Sequence, residues 1–242
     1  MCTVTFIPDK EKVFFTSNRD EKSRRSIAVP PQPYAFGSGK IFFPKDENAG
    51  GTWFAVHENG NVLVLLNGGF KFHEPAPPYR KSRGLILVEL IEHETPFNFF
   101  RSISLDSIEP FTLVIWENEN LFECRWDGEK KYAKHLDKTI AHIWSSATLY
   151  DDAVSNKRKT WFEKWLADRT EFTQNEILYF HQFTGDGDSH NDLTINRDGK
   201  VFTVSITGVE ISETNAQITY LDLLNNKTYL QHIELNKEWA GR

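Results

Sequence analysis

Cys2 is the residue of this chain best placed to do chemistry. Methionine aminopeptidase removes Met1 when the second residue is small, and the chain then begins with a thiol and a free amine on one residue. An α-amine with a reference pKa of about 7.7 to 8.0 is partly neutral at physiological pH and can take the proton of a thiol, whose reference value is about 8.5. Nucleophile and base then share one residue, no histidine is required, and the chemistry is nucleophilic attack on an acyl carbon. A small apolar strand residue would satisfy the same position.

Three further motifs could complete such a site. In Asn18-Arg19-Asp20-Glu21, Arg19 can stabilise a thiolate. Asp20 can accept a hydrogen bond from the terminal ammonium or orient Arg19 through a charge-assisted pair. A solvated charged turn has the same composition. Asn67-Gly68-Gly69 follows the apolar run 62–66. An amide at a strand end is a good oxyanion donor, and removing one such donor typically costs about 100- to 1000-fold in rate. An ordinary Asn-Gly turn reads alike. Gly50-Gly51-Thr52-Trp53 supplies glycines for a tight start to a strand and an indole that either walls a pocket or fills the core. Asn18, Trp53, Gly68 and Phe70 are the residues expected to touch substrate. The eight histidines show no metal spacing, and Asp186, Asp188, His190 and Asp192 form a loose cluster that departs from the calcium-loop pattern. No metal and no cofactor are therefore expected.

The elements that must position these residues follow from periodicity. Residues 3–7 alternate polar and apolar, Pro8-Asp9-Lys10 turns, and residues 13–16 resume an apolar run, which predicts a hairpin starting at residue 2. The polar stretch 18–26 leads into a loop at Pro30-Pro31-Gln32-Pro33. Strands are predicted at 41–43 and 53–56. Glu58-Asn59-Gly60-Asn61 closes a second hairpin between 52–57 and 62–66. Residues 84–94 and 97–103 have helical spacing, 111–116 and 121–126 form a strand pair, and 157–167 and 174–183 are helices. Strands return at 193–195, 201–206 and 228–232. Strands and helices come in blocks rather than in regular alternation, so a layered antiparallel α+β architecture fits better than a doubly wound sheet.

Composition limits the classes of function. A chain of 242 residues with 39% hydrophobic residues, 19 Phe and 7 Trp can build a sizeable core, and residues 1–242 read as one domain without repeats or linkers. A formal charge of -6 gives no general attraction to phosphate backbones, so no nucleic-acid partner is expected. The basic run Asn156-Lys157-Arg158-Lys159 reads as the solvated face of an amphipathic helix. Two cysteines are too few for a disulfide framework, and no stretch has the length of a signal sequence or membrane span, which points to the cytoplasm. A small-molecule ligand is the expected partner, with homo-oligomerisation left open.

Met1-Cys2, Asn18-Arg19-Asp20-Glu21, Gly50-Gly51-Thr52-Trp53, Asn67-Gly68 and Ser82-Arg83-Gly84 together resemble the NRDE family, also called the transport and Golgi organisation 2 family, over roughly the first 90 residues. The resemblance extends at the level of fold to choloylglycine hydrolases and penicillin acylases. It implies an αββα sandwich of two largely antiparallel sheets flanked by helices, the N-terminal-nucleophile hydrolase architecture. It also implies Cys2 as nucleophile, Arg19 and Asp20 as its support, and Asn67 as the oxyanion donor together with a backbone amide. The reaction implied is cleavage or transfer of the acyl group of a linear amide or thioester. The hydrolases carry a second asparagine and a late arginine; the similar regions here read Trp144-Ser145-Ser146-Ala147 and His190-Asn191. Members of the family are implicated in secretory organisation, mitochondrial lipid or coenzyme A metabolism and haem handling. A non-catalytic carrier of a hydrophobic ligand, such as an acyl chain, acyl-CoA or haem, is the alternative reading.

Overall fold

The first strand fixes the sides of the molecule. In β1 (Thr3–Asp9), Val4 and Phe6 are wholly buried in the main core, whereas Ile7 belongs to a second, smaller cluster. This is the period-two alternation of a strand buried on both faces. β1 turns through Lys10, at φ 53, into β2 (Lys12–Lys22), and the antiparallel register sets Thr3 opposite Asn18. The computed structural model describes residues 3–22 and 28–236. Cys2 lies outside the described residues.

The chain continues through β3 (Ala28–Phe36), β4 (Gly39–Asp46), β5 (Phe54–His57) and β6 (Val62–Asn67) to α1 (Arg83–Ile91) and α2 (Pro96–Ser102). Then follow β7 (Phe111–Glu117), β8 (Asn120–Trp126), β9 (Lys131–Leu136), β10 (His142–Ser145), α3 (Asp152–Ala167) and α4 (Gln174–Phe183). The last elements are β11 (Asn196–Arg197), β12 (Val201–Ile211), β13 (Asn215–Asp222) and β14 (Lys227–Glu234). Two seven-stranded sheets result. One has the order β10-β1-β2-β12-β13-β14, with β11 pairing β12, and the other runs β3-β4-β5-β6-β7-β8-β9. Every described pairing is antiparallel.

The sheets face each other across an aromatic layer. Phe6 of the first sheet lies 5.7 Å from Trp116 of the second, and Phe15 lies 6.2 Å from the same indole. Helices α3 and α4 pack on the outer face of the first sheet, and α1 and α2 on that of the second. The fold is thus an α+β sandwich in four layers, as expected. Among the described residues, no helix is long and apolar enough to cross a membrane.

Three expectations need correction. The proline-rich segment expected as a loop forms β3, which pairs only with β4 and shifts register between Val29 and Gln32. A strand on the edge of its sheet can carry residues that donate no backbone hydrogen bond. The second strand also runs further than the apolar run 13–16: the start of the polar stretch belongs to it, with Asn18, Arg19 and Asp20 buried in β2, which lies between β1 and β12. Finally, the strand expected at 193–195 lies instead at Asn196–Arg197.

Candidate active site

A strand that runs through the middle of a sheet must divide its side chains between two faces, and β2 does so in the motif Asn18-Arg19-Asp20-Glu21. Arg19, 2% exposed, points between the sheets. Its Nη2 donates to Asp46 Oδ2 at 3.0 Å, its Nε lies 3.5 Å from Glu21 Oε1, and its guanidinium sits 4.2 Å from the centroid of the Trp53 indole. Asp46 also accepts from the backbone N–H groups of Asn48 and Ala49. Arg19 is thereby locked by two carboxylates and an aromatic face before any ligand arrives.

Arg19, Trp53 and Asn67 line one cavity of about 320 Å³, together with Glu21, Asp46 and Leu65. Tyr79, residues 81–84 and Glu109 complete its wall. Gly51 and Gly84 explain how that wall closes. A Cβ on Gly51 would lie 2.4 Å from the carbonyl carbon of Gly84, and one on Gly84 would lie 2.9 Å from the Thr52 carbonyl oxygen. The start of α1, capped by the Ser82 hydroxyl accepting from Leu85 N, therefore rests directly on the backbone leading into β5, and Thr52 N donates to Gly84 O at 3.3 Å. Arg83 bonds Glu109 at 3.1 Å and Lys81 bonds Glu89 at 2.5 Å.

Asn67 closes β6. Its carbonyl accepts from Ser146 Oγ at 2.9 Å, while its side-chain amide makes no hydrogen bond among the described residues. Gly68 adopts φ 85, a left-handed conformation that favours glycine, and its N–H is occupied by Pro110 O at 3.0 Å. Thr112 Oγ1 donates to the carbonyls of Gly68 and Gly69, and Arg125 Nη1 donates to Gly69 O at 2.7 Å. Arg125 is itself braced by Glu123 at 2.9 Å, and Glu123 accepts from Trp144 Nε1 at 2.7 Å. Burial works to raise the Glu123 pKa, but the bond and charge of Arg125 outweigh it and hold the carboxyl below its ordinary value. The turn that carries the Asn67 amide is thus fixed by its neighbours. Phe70, expected at the substrate, is 54% exposed beneath Arg125 and edge-on to Tyr132, outside the cavity lining.

Asn18 and Asp20 point to the other side of the sheet. Asn18 Nδ2 donates to the carbonyls of His181 and Leu193, and its Oδ1 bonds His181 Nδ1. Asp20 accepts from Thr203 Oγ1 at 2.5 Å and from the Tyr150 hydroxyl at 2.7 Å. The carboxylates beside Arg19 are Glu21 and Asp46 rather than Asp20. A register shift in β12 between Thr203 and Ser205, opposite Asp20 and Arg19, turns Thr203 toward Asp20 while Ser205 stays opposite Arg19.

The outer side also holds residues that the sequence pattern did not reveal. Arg158, expected on a solvated helix face, is wholly buried. It donates to Thr3 Oγ1 and to the carbonyls of Asn191 and Asp192, and its guanidinium lies 3.6 Å from the centroid of Tyr150. Arg197 stacks on the same ring at 5.3 Å and donates to His190 O and Leu149 O. His190 itself is half exposed and 3.3 Å from Asp198. His181 bonds Thr5 Oγ1 at 2.8 Å; burial, reinforced by the Arg158 charge, pushes its pKa down to about 3. It is neutral at physiological pH. Cys124 is wholly buried and burial pushes its thiol up, so it is inert. The acidic loop bonds to itself and to Lys157, which lies 2.6 Å from Asp186. Among the described residues no group of three or more His, Cys, Asp or Glu could hold a metal ion.

Residues 1–206 match the family described as Transport and Golgi organisation 2. No sequence among the curated proteins matches the chain. Among solved structures, a mutant of the conjugated bile acid hydrolase from Clostridium perfringens aligns with a TM-score of 0.51 at 10% identity, covering 98% of this chain and 98% of that one. A second variant of that hydrolase gives 0.47 at 10% identity, again over 98% of each chain. An N-acylethanolamine-hydrolyzing acid amidase orthologue from Caenorhabditis elegans gives 0.49 at 11% identity, over 86% of this chain and 92% of that one. At such identities the likeness concerns the fold.

Proposed function

The chain belongs to the Transport and Golgi organisation 2 family, and from that premise and the cavity around Arg19 we propose a cysteine N-terminal-nucleophile hydrolase or acyltransferase acting on a linear amide or thioester. The observation that carries the proposal is the convergence on one cavity of a locked arginine, Arg19, and a strand-end amide, Asn67, that is unengaged among the described residues. One feature supports Cys2 as the nucleophile: Thr3, the next residue, pairs with Asn18 and Ser145.

In this reading the neutral amine of Cys2 takes the thiol proton, and the sulfur forms a bond to the acyl carbon. The carbonyl electron pair moves onto oxygen, where Asn67 Nδ2 donates to the developing charge beside the Arg19 guanidinium. As the pair returns, the bond to the leaving nitrogen or sulfur breaks, and the ammonium hands over its proton. Water, or a second amine in the transferase case, releases the acyl group from the Cys2 thioester. The many charged side chains around so small a cavity favour a polar acyl compound over carriage of haem or a long apolar chain.

Intact-mass spectrometry tests the proposal without knowing the natural substrate. The expected result is a chain lacking Met1 that gains one acyl mass from a panel of N-acyl amides and acyl thioesters, with no gain in Cys2→Ala. Cys124, sealed in the core, should not compete. Retention of Met1 in the native cell would overturn the mechanism.

A further inference from the structure

We infer that the end of the sandwich opposite the candidate active site is a second binding crevice, for an organic cation that carries a carbonyl oxygen. The strand ends farthest from Arg19 leave a space of about 1270 Å³ between the turns of the two sheets. The turns from β1 to β2 and from β12 to β13 border it on one side, and those from β5 to β6 and from β7 to β8 on the other. Its volume exceeds the usual range of about 300 to 1,000 Å³ for small-molecule sites.

Three observations define what would fit. The first is a donor with no partner among the described residues. Asn61, 2% exposed, lines the crevice, and its Nδ2 makes no hydrogen bond among the described residues, although its backbone N–H bonds Asn59 Oδ1. A buried N–H left unpaired is costly, and an acceptor oxygen on a ligand would recover that loss. The second is apolar lining: Trp116, whose ring also packs near Phe6 and Phe15, is joined there by Val13, Ile211 and Leu235. The third is the balance of charge. Lys10, Lys12 and Lys138 each already hold a carboxylate, those of Glu171, Glu210 and Glu119. Glu11, Glu94 and Glu213 line the same crevice without an ion-pair partner among the described residues. Negative charge is therefore in surplus at the mouth, an apolar wall lies inside it, and a lone donor asks for a carbonyl. The inference does not depend on the acyl chemistry proposed at the other end.

The test uses octanoylcholine as probe and the Cys2→Ala chain, so that no hydrolysis intervenes. Calorimetry should show saturable binding at least tenfold tighter than that of the neutral isostere 3,3-dimethylbutyl octanoate. The indole N–H signal of Trp116, assigned by Trp116→Phe, should shift on titration. Asn61→Leu should weaken binding by about tenfold, the worth of one hydrogen bond. The exposed triple variant Glu11→Gln, Glu94→Gln, Glu213→Gln should remove the preference for the cation, and it serves even if Asn61→Leu fails to fold. Equal affinity for the neutral isostere, an unmoved Trp116 signal, or binding abolished by Asn67→Ala but indifferent to the triple variant would each overturn the inference.

Discussion

The two faces of β2 receive consecutive residues of one motif and put them to different uses. On the inner face, Arg19 and Glu21 meet the second sheet and border a cavity. On the outer face, the side chains of Asn18 and Asp20 hydrogen-bond His181, Leu193, Tyr150 and Thr203. The inner residues hold a space open, whereas the outer ones close one up. A contiguous polar motif in a central strand is therefore two half-sites back to back, and the chemical half is read only by taking alternate residues.

Substitutions should separate the halves. The largest effect is expected from Arg19→Met, which removes a charge-assisted bond and a desolvated cation–π contact. It should cost roughly 2–4 kcal/mol of stability by urea denaturation and lower acylation of Cys2 at least about 100-fold. A variant that acylates normally would sever the inner face from the chemistry. Next, Asn67→Ala should slow acylation by about 100- to 1000-fold. It should leave the unfolding midpoint nearly unchanged, because the amide it removes has no partner among the described residues.

The outer face should show itself in pH dependence instead. His181 has a folded pKa of about 3, below the unfolded reference of about 6.5, so the unfolded chain takes up its proton first as pH falls. The stabilising contribution is complete above about pH 6.5 and is lost progressively toward pH 3, at up to about 1.4 kcal/mol per pH unit. His181→Gln should flatten that loss by roughly 2–3 kcal/mol between pH 6.5 and 4.5; parallel stability curves for the two chains would refute a neutral, buried His181. The smallest effect is expected from Phe70→Ser. A change at a half-exposed ring outside the cavity should alter stability by less than about 0.5 kcal/mol and the rate of acylation by less than twofold.

Much of this arrangement was legible beforehand. The hairpin of β5 and β6 announced itself through Glu58-Asn59-Gly60-Asn61, and both long helices of the second half through their apolar spacing. The glycine motifs marked a close approach of backbone, but it is the fold that joins Gly51 to Gly84. What sequence could not supply was context for polar residues. Arg158 sits in a run of charges and reads as solvated, yet three carbonyl and hydroxyl acceptors and the Tyr150 ring receive it in the interior. Asp46, Glu109 and Lys81 belong to the cavity because distant segments of chain meet there, and no local spacing encodes such meetings. The prolines of β3 misled for the opposite reason: their local preference is real, and the edge of a sheet tolerates it.

The contact of Gly51 with Gly84 has a consequence for how this molecule can evolve. Each position forbids a side chain because of the main chain at the other, so enlarging one residue cannot be rescued by shrinking its neighbour; nothing there remains to shrink. In a saturation mutagenesis experiment both columns should be blank for every replacement, alanine included, even in backgrounds that tolerate broad change elsewhere. Diversification of ligand preference within this lineage would then have to come through the residues around that seam, Trp53, Leu65, Tyr79 and Lys81, while the seam itself stays bare.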